Sequence, residues 1–174
     1  MRKLTTAAAV AATIAMSGFL PAPASAQNYW QCVTFARFFS DIQIFGDAWT
    51  WWNSAQSKNL RTGSEPEAGA VLVFRKTGVM TRGHVAVVSQ VLTERIVQIT
   101  HANWSPINGR RGQVEEDVTM IDVSETGDWS QVKVWYGPIQ NLGGKVYPTY
   151  GFIYKDAPAE TTTYAVADTT VSSR

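Results

Sequence analysis

Two different periods of apolar residues divide this chain. From Cys32 to Ser40, Val33, Phe35, Ala36 and Phe39 recur at helical spacing. A second short helix is predicted from Asp47, a fair N-cap, to Gln56, with Ala48, Trp51, Trp52 and Ala55 on one side. Asn59 to Gly69 reads as a loop, and after it the period changes to two. Ala70 to Arg75, Gly83 to Leu92, Glu94 to Trp104, Val114 to Val123, Ser130 to Tyr136 and Tyr147 to Tyr154 read as strands, separated by Gly, Pro, Asn or Asp. Helices first and strands afterwards indicate an α+β domain, with N-terminal helices packed on an antiparallel sheet of about five to six strands.

The ends of the chain carry neither period. Arg2 and Lys3 precede a short uncharged run from Ala7 to Leu20, and Ala24-Ser25-Ala26 has the small-residue pattern that a signal peptidase cuts after. The run is shorter than the roughly 20 residues that cross a bilayer as a helix, and no later segment comes closer. Residues 157–174 are rich in Ala, Thr and Ser without a strong apolar pattern, as in a disordered tail. The expected organisation is a signal peptide over 1–26, one domain over 27–156 and a tail over 157–174. The mature protein is expected in the periplasm or outside the cell, with no membrane insertion after cleavage.

Charge excludes one class of partner. The chain has 15 basic and 14 acidic residues, and removing Arg2 and Lys3 turns the formal charge slightly negative. That balance provides no basic field for nucleic acid or an anionic membrane.

The chemistry narrows to three residues. Cys32 is the only cysteine among 174 residues, so it cannot pair internally, although exported proteins usually pair their thiols. It falls at the start of a predicted helix, where unpaired N–H groups and the positive dipole end favour a thiolate. The two histidines, His84 and His101, lie on successive predicted strands. A hairpin turning near Thr93 and Glu94 makes them cross-strand neighbours if no bulge intervenes. A cysteine nucleophile needs a general base oriented by a third polar group. Taken singly, a lone cysteine is more often a core residue, and each histidine is as often structural as catalytic. The tryptophans of the second helix are mostly core by the same reasoning, with Trp52 and Trp104 kept as candidates for substrate contact. The acidic run Glu115, Glu116 and Asp117 reads as a solvated face. One cysteine and two histidines fall short of a structural zinc ligand set, and neither metal nor organic cofactor is expected.

Several ordered motifs share one resemblance. "YWQCVTFAR", a Trp-rich helix, "EPEAGAVLVF", "GHVAVVS" and "ITHANW" together resemble the CHAP family, the cysteine, histidine-dependent amidohydrolases and peptidases of bacterial cell-wall turnover. The motifs run from Tyr29 to Trp104, and the later strands are compatible with the family's papain-like core. The resemblance implies that Cys32 is the nucleophile, His84 the base, and that a polar residue of the segment from His101 to Asn103 orients the base. Gln31 resembles a family position near the oxyanion site. The family's third segment often reads Glu-x-Asn, whereas this chain reads His101-Ala102-Asn103. Either His101 or Asn103 is then left to accept the proton of the base.

The reading that results is an exported hydrolase of an amide bond in peptidoglycan or its peptide fragments, with no nucleic-acid partner. A secreted antibacterial effector of the same chemistry, recognised by an immunity protein, and a catalytically inert wall-binding module are the alternatives. The bond cleaved and any activator stay open.

Overall fold

The computed structural model describes residues 29–155. The proposed signal peptide and tail lie outside the described residues. Helix α1 spans Cys32–Ser40, and a 3-10 turn over Ala48–Thr50 runs into α2, Trp51–Ser57. Eight strands follow: β1 Thr62–Gly63, β2 Val71–Phe74, β3 His84–Thr93, β4 Ile96–Ala102, β5 Val114–Asp122, β6 Gln131–Tyr136, β7 Asn141–Leu142 and β8 Tyr147–Ile153. All pairings are antiparallel, in the order β1-β8-β2-β3-β4-β5-β6-β7. An additional pairing of β6 with β8 closes β2, β3, β4, β5, β6 and β8 into a six-stranded barrel. The expected helices on an antiparallel sheet are present, and closure is the feature that the strand pattern did not contain.

Alternation along the strands builds two cores. Leu72 and Phe74 of β2, Ala86 and Val88 of β3, and Val97 and Ile99 of β4 point into the barrel with Met120, Trp129, Val132 and Phe152. The intervening residues Val71, Val73, Val85 and Val87 face outward, where Ala36, Ile42, Ile44, Trp51 and Ala55 cover them. Strands buried on both faces read as continuous apolar runs, which is the composition of Val71–Phe74 and of the first half of β3. The helices therefore lie against the wall formed by β2, β3 and β8.

Two local expectations change. Asp47 precedes the turn at Ala48 but makes no side-chain cap. Its carbonyl accepts from Thr50 N–H at 3.0 Å, and its carboxylate instead meets Arg82 at 3.0 Å. In the β3–β4 hairpin the register shifts twice, between Val88 and Gln90 and between Val91 and Thr93. The hairpin turns between Thr93 and Ile96, and the two extra residues of β3 draw His84 toward His101 without bringing it directly opposite, since the last bridge toward that end pairs Val87 with Thr100.

Candidate active site

Strand alternation carries both histidines to one end of the barrel. His84 opens β3 on the face shared by Ala86 and Val88, and His101 ends β4 on the face shared by Val97 and Ile99. The register leaves them diagonal rather than direct neighbours, yet His84 Nε2 and His101 Nδ1 are 3.0 Å apart. Gly83 sets the approach to His84, with φ of +68° and an ideal Cβ only 2.7 Å from the Trp49 backbone nitrogen. A side chain there would be strained and would push into the main chain of the neighbouring turn.

Helix α1 delivers the thiol to the same place. Cys32 is its first residue, packs against the outer core and is partly buried. The backbone N–H groups of Val85, Val33 and Cys32 itself favour the thiolate, so the residue after His84 acts on the sulfur. Burial outweighs these donors and pushes the Cys32 thiol above its ordinary range, with Asp47 adding in the same direction. The expected helix-start thiolate is thus reversed, because desolvation exceeds the effect of the unpaired amides. Burial likewise lowers His101 to about 3. His84 falls well below the usual histidine range through burial first, then the neighbouring His101 and Arg111. At neutral pH the three groups are a thiol and two neutral imidazoles.

A cleft of about 790 Å³ exposes this chemistry, lined by Gln31, Cys32, Asp47, His84, Asn103 and Trp104 together with Arg111, Tyr136, Lys145 and Tyr147. Asn103, with φ of +66°, donates Nδ2–H to Gln31 Oε1 at 3.0 Å. His101 therefore contacts His84, while Asn103 contacts the residue beside Cys32. Trp104 forms a wall, its ring centroid 4.8 Å from that of His84 and its Nε1 donating to the Trp135 carbonyl at 2.9 Å. Trp52 does not line the cleft. It stacks on Tyr150, at 6.1 Å between centroids, and covers Gly151.

The acidic run needs correction. Glu116 and Asp117 are exposed, but Glu115 is buried, only 8 % exposed. The register pairs it with His101, and its Oε2 lies 3.6 Å from His101 Nε2. Its position on β5 directly across from a histidine was the available signal, and reading that signal required the strand pairing. Arg111 and Lys145 were missed because both stand in connections between strands, where no periodicity marks a residue as facing a cleft.

Among the described residues no group of His, Cys, Asp and Glu could hold a metal ion, and no helix is long and apolar enough to cross a membrane. The CHAP domain family model matches residues 24–103. That span contains Cys32, His84, His101 and Asn103, and the match is to the family that its motifs resemble.

Proposed function

We propose that this protein is an exported cysteine amidohydrolase or peptidase that cuts an amide bond in peptidoglycan. The CHAP domain implies peptidoglycan amidase or peptidase chemistry, and the 3.0 Å contact between His84 and His101 in the cleft that holds Cys32 carries the residue-level reading. The signal-like residues 1–26 support export, and a papain-like arrangement is supported by a cysteine at a helix start and a histidine on the barrel that line one cleft.

The mechanism starts from the neutral groups. His101 occupies Nε2 of His84, leaving Nδ1 of His84 for the thiol proton. As that proton transfers, the Cys32 sulfur bonds to the amide carbonyl carbon and negative charge develops on its oxygen. First-turn N–H groups of α1 lack helical carbonyl partners. With the Gln31 amide, whose oxygen is already engaged by Asn103, they are the donors for that oxyanion. The imidazolium of His84 then gives its proton to the amine nitrogen as the C–N bond breaks, leaving a thioester. His84 next takes a proton from water, which attacks the thioester, and the departing sulfur recovers the proton. One amide and one water become one carboxylic acid and one amine.

Purified protein and its Cys32→Ala variant, incubated with peptidoglycan and read by mass spectrometry of the fragments, test the reading. New amine and carboxyl ends from the wild type alone are expected. Equal fragments from both would overturn the cysteine mechanism. The inert-module alternative drew on a missing carboxylate, and Glu115 beside His101 weakens that ground.

A further inference from the structure

The file of polar groups behind Cys32 does not end at His101. His101 is fully buried, and its Nε2 has no hydrogen-bond partner among the described residues. The polar group that it faces is Glu115 Oε2 at 3.6 Å, about half an ångström beyond a full hydrogen bond. Glu115 is itself buried, an unusual place for an acid unless polar groups surround it. Its Oε2 accepts from Ser105 N–H at 2.9 Å, and Ser105 Oγ in turn accepts from Gly137 N–H at 2.9 Å. A carboxylate holding one backbone N–H has acceptor capacity left. The β4–β5 register that pairs His101 with Glu115 fixes this juxtaposition in the sheet.

Building on the reading of Cys32 and His84 as nucleophile and base, we propose that Glu115 is a positioning residue that selects the tautomers of both histidines. A neutral imidazole has one N–H and one lone pair, and a carboxylate only accepts. Glu115 therefore holds the proton of His101 on Nε2, so His101 Nδ1 carries the lone pair. Across the 3.0 Å contact that lone pair needs a donor, so the proton of His84 sits on Nε2. Nδ1 of His84 is left bare, as the base for Cys32 must be. The opposite arrangement makes the same contact between the rings but puts a lone pair against the carboxylate and a proton where the base is needed. Without Glu115 the contact between the rings does not distinguish the two. The carboxylate absent from the position of His101 is thus supplied one residue further back.

Long-range ¹H–¹⁵N spectra of protein labelled in its imidazole nitrogens read the tautomers directly. Wild type is expected to show both histidines protonated on Nε2. Glu115→Gln keeps an acceptor for Ser105 N–H and turns an amide donor toward His101, so both protons should move to Nδ1. Turnover should fall about 100-fold or more with KM little changed, since a wrong-tautomer Asp→Asn change in the serine-protease triad costs about 10⁴. Glu115→Asp should restore part of the rate, and the exposed neighbour Glu116→Gln should leave it unchanged. His101 protonated on Nδ1 in the wild type, or Glu115→Gln with unaltered tautomers and turnover, would overturn the proposal. The wild-type spectrum decides even if the variant fails to fold. Wild-type tautomers as stated, in a protein that leaves peptidoglycan intact, would sink the hydrolase reading and leave the tautomer selection standing.

Discussion

Asn103 donates its side-chain amide to Gln31 Oε1 at 3.0 Å, joining the end of β4 to the residue that precedes the helix begun by Cys32. The bond spans 72 positions of sequence. It turns the oxygen of Gln31 away and leaves the NH₂ group as the end available to a substrate oxygen. In the proposed mechanism Asn103 then acts on the oxyanion side and His101 on the base side. Gln31→Ala should lower turnover by about 100-fold, the usual cost of one oxyanion donor. Asn103→Ala should cost a substantial part of that, and the double variant little more than Gln31→Ala alone, because one interaction is removed twice. Additive losses in kcat/KM would separate the two residues and refute the coupling.

Two buried neutral histidines tie stability to pH. In the unfolded chain each binds a proton as pH falls through about 6.5. The folded protein withholds that proton from His101 until about 3, and from His84 to well below the ordinary range. The unfolded state thus holds more protons in this window, so stability is fully present above pH 6.5 and is lost as pH falls toward the folded values. Each histidine contributes a slope of about 1.4 kcal/mol per pH unit. Urea unfolding between pH 7 and 4.5 should show the fall, and His101→Gln should remove about one histidine's share of the slope. Equal slopes in wild type and variant would show that His101 titrates normally.

Burial also governs the thiol. With desolvation outweighing the N–H groups of Val85, Val33 and Cys32, iodoacetamide should label Cys32 more slowly than a free thiol at pH 7. The rate should keep rising with pH beyond the midpoint of a free thiol at roughly 8.5. Wild-type protein labelled faster than free cysteine at pH 7 would restore the helix-start thiolate as the resting state.

The order of elements was legible because each rests on a local period. Val71–Phe74 and the run from His84 to Val88 are apolar on both faces, and the spacing of Phe35, Ala36 and Ser40 buries one stripe of α1. The pairing of β6 with β8 was not legible, because closing a barrel depends on accumulated twist rather than on any one strand. Bulges in β3 were hidden for a similar reason, since Ser89 and Leu92 differ little from their neighbours in pattern. The contact between His84 and His101 survived the wrong register because diagonal residues on one face still reach each other. Glu115 and Trp52 were misassigned by the same limit. Composition makes an acidic run solvated and leaves a tryptophan open to substrate, whereas the pairing with His101 buries one and the stack on Tyr150 occupies the other.

In the proposed mechanism the acid side of the rate profile belongs to His84, because His101 stays neutral to about 3. Activity requires neutral His84 and should fall only as pH drops below the usual histidine range, where burial, His101 and Arg111 hold its titration. His101→Glu places a carboxylate beside the ring and favours the imidazolium. The pKa of His84 must then rise, and the acid limb of kcat/KM should move upward by about one unit or more. Had protonation of His101 set the limb, the same change would have moved it downward, so the direction alone discriminates. Arg111→Gln removes a like charge and should move the limb the same way by only a few tenths of a unit, since Arg111 is exposed and screened by salt. Raising the ionic strength of the wild type should imitate that smaller shift. A limb that stays put or moves downward in His101→Glu would show that His101 does not act on the base through its charge.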